Sequence, residues 1–491
     1  MHVEVLKLLF NSYIFILLFL PFTWCGYFLI KRVSSVWGNA WLLVMSLGFY
    51  AYFNVSYLPI IALSIFFNYT MSKLIVNART LALKKLWVTI AVALNVGTLF
   101  YYKYYDFFVV NINAIFHAEF ARHHLILPLA ISFFTFQQLS YIIDSYRGKI
   151  PNYSFLDYAL FVAFFPPLIA GPIVTHDEII PQFSEASRGR VQYENLSKGV
   201  MAFAFGLAKK VLLADVFGQA VQAGYAHAEG LNTTSALLVM FMYSCQIYFD
   251  FSGYCDMATG ISLMFNIDIT MNFNSPYRAL TIADFWKRWH ITLTRFFTRY
   301  VYIPMGGNRK GKIRTYINMF FVFLVSGLWH GANWTFIFWG AMHGMFALLT
   351  KMCKKWIDKW HPAFSWLLTF CFVNVAWIYF RSDSLGQANQ VITAILRFDL
   401  GPIQEDILQV FFLPEFAFFS KIISIGFLGE AKLCLLLYVL FGLFALLFMK
   451  NTNERINEFR PTAWISCVSI VLLVWSVISL TSVSTFLYWN F

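Results

Sequence analysis

Two histidines stand out by what surrounds them. His330 lies in TYINMFFVFLVSGLWHGANWTFIFWGAMHGMFALL, thirty-five residues from Thr315 to Leu349 without Lys, Arg, Asp or Glu, between Gly327 and Gly331. An ionisable group in such a run is costly to desolvate without a partner, which makes it a functional-site candidate. A neutral imidazole placed there can take a proton from an attacking hydroxyl. His290 follows a basic, aromatic run: from Phe285 to Arg314 there are eight Lys or Arg and no acidic residue. His343, four residues after Trp339 in the apolar stretch, is read as a packing residue.

If Phe285 to Tyr300 forms one helix, Trp286, Trp289, Leu293, Phe296, Phe297 and Tyr300 make one apolar stripe. Arg288, Arg295 and Arg299 then share another face, and His290 sits nearer the apolar side. Such a helix lies in a membrane interface, its aromatic rings toward lipid or protein. Its guanidinium groups, with Arg309 and Lys310 beyond, are candidates for the phosphates of a cytoplasmic donor or for anionic headgroups. Asp250 and Asp256, in YFDFSGYCDMATG, are expensive in an apolar run unless paired or lining a wet cavity.

The elements that must position these groups are apolar runs long enough to span a bilayer, near 9–30, 36–54, 57–76, 86–105 and 125–143. FLDYALFVAFFPPLIAGPIV follows, broken by Pro166, Pro167 and Pro172, and reads as a broken or re-entrant element. Further spans are expected near 198–214, 236–264, 363–380, 433–449 and 463–482. Thr315 to Thr350 should form an out-and-back hairpin turning near His330 to Asn333. Lys31, Arg32, Arg79, Lys84, Lys85, Arg314, Lys351, Lys354 and Lys355 assign their loops to the cytoplasm, with both termini outside. The segment from Arg381 to Lys432 is the longest external stretch, suited to lie on the outer leaflet or contact a partner. The expected fold is an all-α polytopic transmembrane bundle of about eleven to thirteen spans, forming a single domain over 1–491 with a core motif region at 245–345.

Composition agrees. The 491 residues are 59% hydrophobic and 12% charged, with mean hydropathy +0.64, outside the range of soluble domains. An aromatic share of 20% without strand alternation argues against a β-barrel. The net charge of +12 sits in short loops between spans, which the positive-inside bias explains, so nucleic acid is not an expected partner. Seven scattered cysteines with no C-x-x-C read as small buried hydrophobes, and no metal site is expected. Cys25 follows an apolar run, but Phe22-Thr23-Trp24 lacks the small residues of a processing site, so the first segment reads as an uncleaved span.

The motifs RWHITLTRF...YIPMGGNR and GLWHGANWTFIFWGAMHG resemble the membrane-bound O-acyltransferases, and specifically the branch that acetylates alginate. LPLAISFFTFQQLSYIIDSYRG, FVAFFPPLIAGPI, QIYFDFSGYCDMATGISLMFNI, NFNSPYRA and the final STFLYWNF extend the likeness over nearly the whole chain. The loop after Thr175 and residues 384–430 match less well.

The resemblance implies a bundle around a central funnel in a bacterial inner membrane, with His330 as catalytic residue and His290 as the second functional position. It also implies a cytoplasmic thioester donor such as acetyl-CoA. The acyl group would cross to an extracytoplasmic SGNH-hydrolase-like acetyltransferase that modifies a polysaccharide such as alginate. Thioester attack creates an oxyanion, for which Asn333, Trp334 or amides at the Gly331 turn are candidate donors. Two other readings stay open: a D-alanyl transfer subunit for teichoic acid, and a transporter or flippase without chemistry of its own, in which His330 would be a gate or proton relay.

Overall fold

A computed structural model describes residues 8–413, 430–480, 486 and 487, and among these every regular element is helical. Many helix starts carry the side chain that an exposed first turn requires: Ser34, Thr80, Asn232, Thr281, Asn333 and Ser384 each accept a hydrogen bond from an amide two or three residues on.

The longest helix, Thr233–Met264, has 32 residues and is buried along most of its length. At 1.5 Å per residue it is about 48 Å long. Tyr193–Ala208 packs directly on its backbone. A Cβ on Gly199 would lie 2.6 Å from the Gly260 carbonyl oxygen, and one on Gly206 would lie 2.6 Å from that of Gly253. Four glycines at spacing seven thus let two helices touch main chain to main chain, where packing replaces the hydrophobic drive that lipid does not supply.

The expected spans near 57–76, 86–105 and 363–380 are helices long and apolar enough to cross a membrane: Val55–Val76, Leu81–Lys103 and Pro362–Arg381. Phe15–Lys31, Tyr105–Phe116, Ala431–Leu447 and Ala463–Ile478 are apolar but shorter. The other long helices carry polar residues that pack inside the protein. The element around Pro166 is broken as expected, with Phe155–Ala163 and Phe165–Leu168 separated at Phe164, before His176–Ser184.

Two expectations need correction. The run at 125–143 is helical only from Ile131, in Ile131–Tyr146; Pro128 disfavours helix before it, and Ala130 is left-handed at φ 60°. That helix buries Gln137, Gln138, Ser140 and Asp144, so it belongs to the protein core. Leu385–Leu396, in the long external stretch, packs Ala388, Val391 and Ala394 inward, and the Ala394 carbonyl accepts from Thr233 Oγ1 at 2.7 Å. The opposite face of this helix, with Asn389, Gln390 and Thr393, is exposed. Residues 414–429 of that stretch, and all of the final STFLYWNF except Phe486 and Leu487, lie outside the described residues.

The second correction concerns Phe285–Tyr300, which is not one helix. Ile282–Arg288 and Ile291–Phe297 are separated at His290, whose φ is 44°. The backbone groups that would have continued the helix are taken by a distant segment: Asn274 N–H donates to the Arg288 carbonyl, and Ile291 N–H donates to the Asn272 carbonyl. Trp286, Trp289, Leu293, Phe296, Phe297 and Tyr300 are consequently all buried in protein.

Candidate functional site

His330 is the last residue of Gly311–His330, and Gly331 turns the chain to extended backbone before Asn333 caps Trp334–Met352. The two arms of this hairpin meet through glycine. A Cβ on Gly327 would stand 2.3 Å from the Phe336 carbonyl oxygen, and one on Gly340 would stand 2.5 Å from that of Phe323. Any larger residue would push the arms apart. The close approach at Gly327 is therefore what sets the height of His330 against its neighbours.

The His330 ring is 2% exposed. It stands edge-on to Trp329, Trp339 and Phe380, at centroid distances of 4.9, 5.2 and 5.2 Å. Trp329 also stands edge-on to His290 at 6.2 Å, so one indole touches both imidazoles. His290 is fully buried, edge-on to Phe251 at 4.8 Å, with Nδ1 3.2 Å from Asn272 Oδ1. The fold thus brings together two histidines forty residues apart. His343 lies in an aromatic cluster, where its Nδ1 accepts from Trp286 Nε1 at 3.3 Å.

Sequence reasoning missed Lys103. It closes Leu81–Lys103 and reads as an ordinary end-of-span lysine, yet its Nζ donates to the carbonyls of Trp329, at 2.6 Å, and His330, at 3.3 Å. Those carbonyls belong to the unsatisfied last turn of their helix, and a cation there opposes the negative end of its dipole. Beside it opens a cleft of about 330 Å³ lined by Lys103, Asp106, Leu127, Gly331, Asn333 and Phe336. The cleft reaches Gly331, the residue just after His330, and His330 itself does not line it.

The candidate oxyanion donors are placed differently from expectation. Asn333 lines the cleft, but its oxygen caps Thr335 N–H and its nitrogen donates to the Asp383 carbonyl at 2.9 Å. Trp334 is exposed and donates to Asn111 Oδ1. Trp329 and Trp339, which flank the imidazole, instead carry buried indole N–H groups with no acceptor among the described residues. A buried donor without a partner calls for an explanation, and a transient anion is one.

The charged candidates divide. Asp250 receives Lys210 Nζ at 2.6 Å and the Leu487 amide at 2.8 Å; Asp256 receives Lys209 Nζ and Thr452 Oγ1, both at 2.6 Å. Both carboxylates are therefore occupied in tying helices together. Arg288, Arg295 and Arg299 do not share a face, because the helix that would align them is broken. Each meets its own carboxylate: Arg288 with Asp284 at 2.9 Å, Arg295 bidentate on Glu178, and Arg299 with buried Asp144 at 2.6 Å. Burial works against the charged form of Glu178, but the Arg295 guanidinium, the Thr175 amide and the Thr270 hydroxyl together hold its carboxyl below the usual range. Arg309 and Lys310 are exposed and have no carboxylate partner among the described residues. No group of three metal-ligating side chains occurs among those residues.

Comparison with known proteins places residues 47–385 in match with the profile of MBOAT, the membrane-bound O-acyltransferase family. The chain is 39% identical to a peptidoglycan O-acetyltransferase of Helicobacter pylori, over 99% of this chain and 98% of that protein. It is 36% identical to a probable alginate O-acetylase of Pseudomonas aeruginosa, over 81% of this chain and 76% of the relative. A teichoic acid D-alanyltransferase of Bacillus subtilis is 29% identical over 50% of this chain and 63% of its own.

Proposed function

The chain belongs to the membrane-bound O-acyltransferase family and is an acyltransferase; from that premise we propose that it passes acetyl groups across the bacterial inner membrane for O-acetylation of peptidoglycan. The donor in this reading is acetyl-CoA on the cytoplasmic side. The receiver is an extracytoplasmic SGNH-hydrolase-like acetyltransferase that completes transfer to the glycan. Alginate was the acceptor named by the motifs alone. The similarity to the peptidoglycan enzyme runs through 99% of the chain, including the C-terminal part beyond residue 385 that the family profile does not reach, and this favours peptidoglycan.

The observation that carries the mechanism is the pair of buried imidazoles, His330 and His290, that share the Trp329 indole as a neighbour. A hydroxyl oxygen attacks the thioester carbonyl carbon while an imidazole nitrogen takes the hydroxyl proton. The tetrahedral oxyanion is met by N–H donors held ready in a dry site, a part for which the indoles of Trp329 and Trp339 are suited. Collapse breaks the carbon–sulfur bond, and the thiolate leaves with the proton from the imidazolium. Arg288, Arg295 and Arg299 already have carboxylates, so the donor's phosphates fall to Arg309 and Lys310.

The test is ester-linked acetate released by mild base from purified peptidoglycan and from secreted polysaccharide, in a strain lacking the gene and complemented with it. Loss from peptidoglycan alone, restored by the wild-type chain, is the expected result. Loss from secreted polysaccharide alone would move the acceptor to an exopolysaccharide such as alginate. Loss of ester-linked D-alanine in its place would make the chain a D-alanyl transferase.

A further inference from the structure

Asn272, in the NFNSPYRA motif, is buried and has both ends of its carboxamide in use. Its orientation follows from donors whose protons are not in doubt. The Thr292 amide N–H points at Oδ1 from 3.2 Å. Thr292 Oγ1 accepts from the Ile173 amide at 2.9 Å, so its own hydrogen is free to go to Asn272 Oδ1, also at 2.9 Å. Two donors on one side require oxygen there; the amide nitrogen lies opposite, 3.4 Å from Cys255 Sγ. The third neighbour of that oxygen is His290 Nδ1, at 3.2 Å. An amide oxygen only accepts, so Nδ1 must carry hydrogen, and in a neutral imidazole the other nitrogen then holds the lone pair.

The backbone serves the same end. His290 occupies the left-handed region at φ 44°, uncommon for a residue with a side chain, and the Asn272 carbonyl takes the Ile291 amide that this conformation releases. One asparagine therefore holds both the main chain and the ring of His290.

We propose that Asn272 is a positioning residue for acyl transfer, holding His290 as the tautomer protonated at Nδ1 so that Nε2 carries the lone pair. The proposal rests on the reading that His290 serves the reaction.

The test uses the full chain in detergent with ¹⁵N-labelled histidine and a two-bond nitrogen–proton correlation, the His290 signal being assigned by its loss in His290→Gln. The wild type should show the Nδ1-protonated pattern. Asn272→Leu should lose it and lower acyl transfer about ten- to hundredfold per folded molecule, with a lower thermal midpoint from the donors it leaves unpaired. Asn272→Asp, which keeps an acceptor oxygen, should keep the pattern, restore most of the activity and shift the pH profile. A wild-type His290 signal protonated at Nε2 overturns the proposal, as does an unaltered pattern in Asn272→Leu. Full activity of His290→Gln beside the expected wild-type spectrum would remove both residues from the reaction while leaving the tautomer assignment intact, which separates the two failures.

Discussion

The Lys103 ammonium lies 2.6 Å from the carbonyl oxygen of Trp329, the residue immediately before His330. An amino group 226 residues away in sequence thus closes the last turn of the helix that carries the central histidine. A cation at a helix C-terminus contributes about 0.3–2 kcal/mol, modest for stability but directed at the one turn whose geometry sets the imidazole.

Lys103→Met should therefore cost more in rate than in stability. The expected drop in acyl transfer is about ten- to hundredfold, with a small change in thermal midpoint, and Lys103→Arg should recover much of it. Equal activity of the Met variant and the wild type, assayed in membranes at matched abundance, would remove Lys103 from the positioning of His330.

His330→Gln keeps most of the ring's volume inside the cage of Trp329, Trp339 and Phe380, and removes the proton acceptor. Loss of a positioned general base costs about 10²- to 10⁴-fold in rate. Normal membrane abundance with peptidoglycan acetate reduced to that degree is expected. Wild-type acetate would sink the role; acetate lost together with the protein would make His330 structural.

Gly327 offers a test of the hairpin. Its Cβ would sit 2.3 Å from a backbone oxygen that cannot turn aside, so Gly327→Ala should destabilise by about 1–3 kcal/mol and displace His330, lowering activity as well. Gly97, in Leu81–Lys103, has nothing within 4 Å of its would-be Cβ. Gly97→Ala should be neutral or stabilise by up to about 1 kcal/mol. Thermal midpoints in detergent that fail to separate the two variants would refute the close contact.

Glu178 gives a pH dependence of known sign. Its carboxyl titrates below the ordinary value of 4.5 in the folded chain, so its ion pair with Arg295 stabilises fully above that value. The contribution is lost as pH falls through the lower folded value. The thermal midpoint should drop below about pH 4.5, and Arg295→Gln should lower it at neutral pH while flattening the acid-side slope. An unchanged slope in that variant would show that another carboxylate governs the acid limb.

Much is legible in the sequence alone, because it depends on residues close together in the chain. Long apolar runs, the prolines at 166 and 167 that break one of them, and the glycines beside His330 each act on their own few residues of backbone. The motifs around His290 and His330 carried the family for the same reason. What the sequence could not decide depends on hydrogen bonds between remote segments, which leave no local period. Phe285 to Tyr300 has the spacing of one helix, but Asn272 and Asn274 take its backbone groups and break it at His290. With that break the arginine face is lost, and Arg288, Arg295 and Arg299 part to Asp284, Glu178 and Asp144. The apolar pattern told which segments leave water; only the packed chain settled which partner each buried charge and the His290 ring would meet, since a charge in that interior is costly to leave unpaired.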